Sequence, residues 1–327
     1  MRIAMVTPYN VKCGIYTYSR DLYTALLEHD VETYVSRLPR FGQKSPALLE
    51  NVARKIPKEA EIIHVQHEYG LYNGLDTEFY RTLKEHKKPI ITTMHAVGNF
   101  NVDKVVSLAS NKVIVHNEFC KNKFSGESEI IHHGCATVTP MPIAEAKKAM
   151  GIPTKLPIIG YVGFISPYKG IDDIILAVEP IEKAGVVIGG GWHLGPDTQY
   201  INELKELGTQ RLGGRIQWTG FVPEERLATV YGCMDIVVVA SRFATESGAL
   251  LTAMAHGKPI IARNLPPFRE KNLVTFENPV DLSAKISDIL YGHDTLEAMG
   301  KQSMEYAEAN TWHKIAEQHK ELYSSLL

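Results

Sequence analysis

The stretch Val237-Val-Val-Ala-Ser-Arg-Phe-Ala-Thr-Glu-Ser-Gly-Ala-Leu-Leu-Thr-Ala-Met-Ala-His-Gly-Lys-Pro-Ile-Ile-Ala262 reads as a buried strand, a short polar loop, a helix and a second strand. Apolar, β-branched runs at 236–239 and 260–262 predict the strands, and Ala, Leu and Met between Ala249 and Ala255 predict the helix. Gly257 and Pro259 stop it. The result is a βαβ unit whose helix starts directly after Glu246-Ser247-Gly248. Four N–H groups at a helix start have no partner inside the helix and sit at the positive end of its dipole, so a phosphate fits there. Ser247 can cap that start, Gly248 lets a ligand come close to the backbone, and Glu246 can accept from a sugar hydroxyl. The same three residues also suit a plain N-cap beside a solvated glutamate.

A length of 327 residues predicts two domains of ordinary size. An apolar content of 44% with 22% charged residues is that of a globular protein, and a net charge of -2 gives no argument for a nucleic-acid partner. The opening strand meets Pro8 too soon for a signal-peptide core, and no apolar run approaches membrane-spanning length, so the expected location is the cytoplasm. Cys13, Cys120, Cys135 and Cys233 lack Cys-x-x-Cys spacing, which argues against a zinc ribbon and a disulfide scaffold.

In the first half, Arg2 to Thr7 predicts a strand, Pro8 to Ile15 a loop, and Tyr16 to Leu27 a helix. Loops at the carboxyl ends of parallel strands face the ligand crevice, so Gly14 either meets a substrate or simply permits the turn. No Gly-x-Gly-x-x-Gly follows the strand, which weakens a dehydrogenase reading. The runs 61–67, 89–95 and 112–117 are buried-strand patterns ending in His or Asn, separated by helical segments. That alternation predicts a parallel sheet. His64 and His67 stand three apart on a strand and point to opposite faces, so no shared metal is expected. His95 ends a central strand, where an imidazole can bond a sugar hydroxyl or serve as a structural histidine. Residues 128–135 predict the last strand of this half, and the Pro-rich segment after it a linker around a short helix, 144–150.

The second half restarts with a strand at Ile158-Ile-Gly-Tyr-Val-Gly163, a loop to Gly170 and a helix over 171–178. Lys169 lies at that helix entry, where its point charge can neutralise a pyrophosphate or stay solvated. The glycines of 184–191 and Gly195 fit a nucleotide fingerprint poorly. A helix over 197–207 follows, and the strand over 215–222 ends where Phe221 and Val222 can line a nucleobase pocket. The final amphipathic run, 306–326, breaks at Asn310-Thr-Trp312 and is expected to brace the first domain. Arg37, Arg40 and Lys44 form a basic loop, open either to solvent or to an anionic lipid-linked acceptor or membrane surface.

Together, Cys13-Gly14-Ile15, His67-Glu68-Tyr69-Gly70, Thr93-Met-His95, His133-Gly134, Gly163 to Gly170, Thr219-Gly-Phe-Val222 with Tyr231 and Asp235, and Ser247-Gly248 to Pro259 resemble a GT-B glycosyltransferase similar to the retaining family four. The resemblance implies an α/β chain of two Rossmann-like domains with parallel sheets facing across a cleft: 1–150 binding an acceptor, 151–305 binding a nucleotide sugar, and 306–327 crossing back to the first. It implies retaining transfer of a hexose from a nucleoside diphosphate sugar to the hydroxyl of a carbohydrate or lipid-linked acceptor, with no metal or other cofactor. Carried over, Gly14 lies beside the donor diphosphate, His95 near the sugar, Lys169 at the phosphates, Phe221 and Val222 at the base, and Ser247 with the amides of Gly248, Ala249 and Leu250 at the diphosphate; the family's first glutamate falls on Ala244, so Glu246 positions the sugar in its place only if the loop path shifts by two residues. Two departures stand out. Phe164 replaces the arginine common in the family, and Thr252 stands where its second glutamate would hold ribose. A nucleotide-sugar epimerase of the same fold is the alternative among enzymes, and the missing glutamates favour a different class, a silent nucleotide-sugar-binding scaffold.

Overall fold

In β1 (Arg2–Thr7), Ile3 and Met5 enter one apolar cluster while Ala4 and Val6 enter another. A strand covered on both faces needs this continuous apolar run, and only a parallel sheet with helices on each side supplies two covers. The computed structural model describes every residue except 12, 40–44, 99, 192–198 and 293–294. It divides into two units, Met1–Gly134 with Asn310–Leu327, and Cys135–Ala309.

The first unit holds β1, β2 (Glu32–Arg37), β3 (Ile62–His67), β4 (Ile90–Met94), β5 (Lys112–Val115) and β6 (Glu129–Ile130), in the parallel order β2-β1-β3-β4-β5-β6. β2 was not expected: its sequence, Glu-Thr-Tyr-Val-Ser-Arg, is a half-polar edge strand that pattern alone does not separate from a loop. Arg37 therefore ends a strand, with its guanidinium 4.5 Å from the Tyr9 ring centroid, while Arg40 and Lys44 lie outside the described residues. β6 is far shorter than the strand expected over 128–135. Beyond it the carbonyls of Ile131 and His116 meet imidazole nitrogens of His116 and His132 at 3.0 Å each.

The second unit holds β7 (Ile158–Val162), β8 (Gly185–Gly189), β9 (Ile216–Gly220), β10 (Ile236–Val239), β11 (Ile260–Arg263) and β12 (Val274–Phe276), ordered β12-β11-β10-β7-β8-β9. Val237 and Val239 face one cluster, Ile236 and Val238 the other. The helix expected over 197–207 runs from Gln199 to Leu212. Its expected opening, with the Trp192-to-Gly195 turn, lies outside the described residues.

Two boundaries move from their expected places at 150 and 306. The helix Ile143–Ala149 belongs to the second unit, because Ala146 is fully buried in its core and Lys147 Nζ donates to Asp235 Oδ2 at 2.8 Å. At the other end the helix Thr295–Ala309 packs on the helix Gly248–Ala255, and the division falls at Asn310. Thr311 then caps a new helix, Trp312–Ser324, whose Ile315, Ala316 and Tyr323 join the cluster of Tyr18 and Leu22 from the helix Gly14–Glu28.

Burial holds His319 down to about 4, and burial with Lys258 nearby does the same to His256. Both histidines bind a proton at about 6.5 once unfolded, so the unfolded chain carries more protons between the two values. Stability therefore falls as pH drops below about 6.5, by up to about 1.4 kcal/mol per pH unit for each histidine. We expect the melting temperature to drop between pH 7 and pH 5. A flat profile measured by circular dichroism contradicts the burial of these rings.

Candidate active site

β10 and β11 pair in parallel, and β10 pairs with β7 on its other edge. The loops leaving the carboxyl ends of β7 and β10 are therefore neighbours, and specific bonds lace them together. The Arg242 N–H donates to the Tyr168 carbonyl at 2.7 Å, and its guanidinium donates to the Pro167 carbonyl and to Asp172 at 2.6 Å. The rings of Tyr168 and Phe243 stack at 4.5 Å. Gly170 sits at φ +66, and a Cβ there would stand 2.4 Å from the Ala240 carbonyl oxygen, so only glycine permits this approach. Lys169, the residue before it, carries its Nζ 4.6 Å from the Tyr168 ring centroid.

Glycines also close up the ends of β7, β8 and β9. Gly190 has φ +140, and a Cβ on it would lie 1.8 Å from the Gly163 carbonyl oxygen. Its N–H donates to the Gly220 carbonyl at 2.7 Å. A Cβ on Gly163 would in turn stand 3.4 Å from the Ala249 Cβ, which puts the end of β7 against the first turn of the helix Gly248–Ala255. Among the glycines that fit a dinucleotide fingerprint poorly, Gly190 serves this convergence. Phe221 follows Gly220 and is 57% exposed, whereas Val222 is half-buried on the second unit's core.

At the helix start, Ser247 is extended and its Oγ accepts from the Leu250 N–H at 3.3 Å. This cap takes the Leu250 amide away from a ligand, contrary to the expectation from sequence. Among the described residues no acceptor meets the N–H groups of Gly248 and Ala249. The Tyr231 hydroxyl donates to the Ala249 carbonyl at 3.4 Å, which steadies the same turn from behind. Thr252 Oγ1 donates back to the Gly248 carbonyl at 2.8 Å and offers no carboxylate where a second glutamate was missed.

Glu246 does not project toward a ligand. Its Oε1 accepts from the Ser247 N–H at 2.9 Å, and its Oε2 pairs with Lys271 Nζ at 2.9 Å, with the two side chains 5% and 2% exposed. Burial works against the Lys271 charge, but Glu246 and Tyr306 outweigh it and raise the group above its ordinary value. The pair anchors the loop that feeds the helix start. No local pattern signals it, because its members lie 25 residues apart.

In the first unit, Gly14 opens the helix Gly14–Glu28, which has no side-chain cap and no acidic residue in its first turn. Among the described residues a Cβ on Gly14 would meet nothing within 4 Å, so their packing does not demand a glycine there. His95 directly follows β4, its N–H donating to the His67 carbonyl at 2.8 Å and its Nε2 lying 2.9 Å from Gln66 Oε1. Burial, with His116 and His133 nearby, holds its imidazole well below the ordinary value and so neutral. His64 and His67 do point to opposite faces: His64 bonds Tyr323 at 2.7 Å, while His67 bonds Asp76 at 2.7 Å and stacks on Tyr72 at 4.9 Å. Among the described residues no three His, Cys, Asp or Glu gather as a metal site.

The two parallel six-stranded units have the GT-B fold. More particularly, residues 156–291, which span the β7 and β10 loops, match the family described as glycosyl transferases group 1. The chain is 28% identical over 198 residues to a D-inositol 3-phosphate glycosyltransferase of Corynebacterium glutamicum, covering 56% of this chain and 46% of the relative. The chain thus spans about half the length of such relatives. Spore coat protein SA of Bacillus subtilis is 23% identical over 295 residues, covering 85% of this chain and 76% of that protein. Among solved structures, Anabaena HepE in complex with UDP and glucose superposes with a TM-score of 0.82 at 17% identity, covering 100% of both chains. Sucrose-phosphate synthase from Thermosynechococcus elongatus superposes with a TM-score of 0.79 at 19% identity, covering 100% of this chain and 99% of that one. Among the described residues no helix is long and apolar enough to cross a membrane.

Proposed function

We propose that this protein is a retaining hexosyltransferase that moves a sugar from a nucleoside diphosphate to the hydroxyl of a carbohydrate or lipid-linked acceptor. The second unit holds the donor and the first the acceptor. The observation that carries this reading is the helix start at Gly248–Ala249, whose two amides meet no acceptor among the described residues while Gly163 comes up against it. Cleaving a sugar–diphosphate bond leaves negative charge on the leaving group, and oriented amides with an ammonium stabilise it without reorganising. The Gly248 and Ala249 amides and Lys169 supply that charge, so the reading assigns no step to a metal ion. Phe221 and Val222 border the base, and Gly14 lies beside the diphosphate. His95, neutral, bonds a hydroxyl of the transferred sugar. Glu246 takes a different role from the one its position in the sequence implied: it holds the phosphate loop through Lys271.

Matches to a glycosyltransferase and to a structure holding UDP and glucose support a sugar nucleotide as donor. The test is incubation with a panel of nucleoside diphosphate sugars and simple acceptors, followed by NMR of the anomeric proton. Transfer or slow hydrolysis with unchanged anomeric configuration is expected. Saturable binding without turnover instead favours the silent-scaffold reading, to which the inward Glu246 and the Thr252 back-bond give some weight. No binding of any donor removes both. Within the same assay, Lys169→Ala is expected to cut turnover about tenfold, equivalent to about 1.4 kcal/mol of transition-state stabilisation. An unchanged rate in folded protein means that Lys169 does not meet the phosphates.

A further inference from the structure

His64, Gln66, Thr93 and His95 alternate along β3 and the end of β4, so all four point to the sheet face covered by the helix Trp312–Ser324. They form a continuous polar row among apolar neighbours, with His64, Gln66 and Thr93 fully buried and His95 half-buried at its end. Tyr323 Oη lies 2.7 Å from His64 Nδ1, and His64 Nε2 lies 2.8 Å from Thr93 Oγ1 and 3.2 Å from Gln66 Nε2. Gln66 Oε1 then lies 2.9 Å from His95 Nε2. A buried amide flanked by two imidazoles has only two consistent settings, and each dictates the protons on both rings. With its nitrogen toward His64, as here, the amide donates to His64 Nε2, where the Thr93 hydroxyl is the second donor, leaving the His64 proton on Nδ1, beside Tyr323. Its oxygen then accepts only from a protonated Nε2 of His95. The reverse setting would put the His95 proton on Nδ1.

We infer that Gln66 is a positioning residue that holds His95 as the Nε2–H tautomer, and that His64, backed by Tyr323 of the C-terminal helix, holds Gln66 in the orientation this requires. Resting on the reading of His95 as a ligand of the transferred sugar, this makes Nδ1 the ring atom that meets the substrate, and makes it a hydrogen-bond acceptor. A sugar hydroxyl, not a carbonyl or phosphate oxygen, is the group such an atom can bond. His95 sits edge-on to Tyr18 at 4.6 Å between ring centroids, so packing fixes the plane of the ring while the amide fixes its proton. The burial that keeps His64 and His95 neutral keeps both rings in the form on which this ordering depends.

The test is nitrogen-15 NMR of the full chain with labelled histidine rings, His95 being assigned by its loss in His95→Asn. Wild-type protein is expected to show a protonated Nε2 and an unprotonated Nδ1 at His95, and Gln66→Met or His64→Leu is expected to shift it toward a mixture. A protonated Nδ1 in wild-type protein overturns the inference whether or not either variant folds, and so does an unchanged His95 signature in folded Gln66→Met. The kinetic arm compares His95→Asn, whose carbonyl can stand near Nδ1, with His95→Gln, which reaches toward Nε2. Asn should retain about tenfold more turnover, the value of one hydrogen bond, and Gln66→Met should lower kcat about tenfold with KM little changed. Greater activity in His95→Gln than in His95→Asn contradicts the assignment of Nδ1. If the spectra hold but His95→Ala turns over like wild type, the positioning stands and the role of His95 in sugar binding falls.

Discussion

Gly248→Val lowers turnover roughly a hundredfold while the second unit stays folded, which is the scale seen when one preorganised donor to a developing anion is removed. The reason lies in helix geometry. Every Cα–Cβ bond in a helix tilts toward the N-terminus, so a branched side chain on the first residue projects to the side from which an anion approaches. Ser247 still caps Leu250, so the helix keeps its start and the loss falls on the ligand. Gly248→Ala is expected to lie between wild type and valine. Steady-state kinetics with an accepted donor checks the series, and thermal melting confirms that each variant folds. Equal rates across Gly, Ala and Val contradict the placement of the phosphates.

Lys271→Met destabilises the protein by about 3–5 kcal/mol, because it leaves the Glu246 carboxylate buried without its partner. Packing alone does not predict this, since methionine fills nearly the same space. The double variant Glu246→Leu/Lys271→Met should recover most of the loss, because a buried ion pair exchanged whole for apolar groups is often neutral. Chemical denaturation of the two single variants and the double closes the cycle. A small effect of Lys271→Met, below about 1 kcal/mol, contradicts the burial of the pair. The cycle also bears on the proposed function, as Glu246 Oε1 accepts from the Ser247 N–H and so ties the loop before the helix start to the core.

Much of the fold was legible from local pattern. Strands covered on both faces, such as β1 and β10, are continuous apolar runs, and the helices between them carry period and stop signals, so the alternation that defines a parallel sheet stood in plain view. The pattern failed where its physical basis weakens. β2 is a half-polar edge strand, and the short helix Ile143–Ala149 looks like a linker until Lys147 finds Asp235, 88 residues on. The helix start at Gly248 was legible because a cap, a glycine and a polar loop are local features. That Ser247 would consume the Leu250 amide, or that Glu246 would turn inward to Lys271, depends on side-chain directions and long-range partners. The row from Tyr323 to His95 is hidden for the same reason: its ends come from opposite ends of the chain, with His64 and Tyr323 separated by 259 residues.

In the proposed function the Gly248 and Ala249 amides hold the diphosphate of a sugar nucleotide. The most direct measurement is a crystal of this protein soaked with a mixture of nucleoside diphosphates. Phosphate oxygens are expected within about 2.7–3.2 Å of both amide nitrogens, with the Lys169 ammonium turned toward the same group. A diphosphate bound elsewhere, with those two amides facing only water, contradicts it.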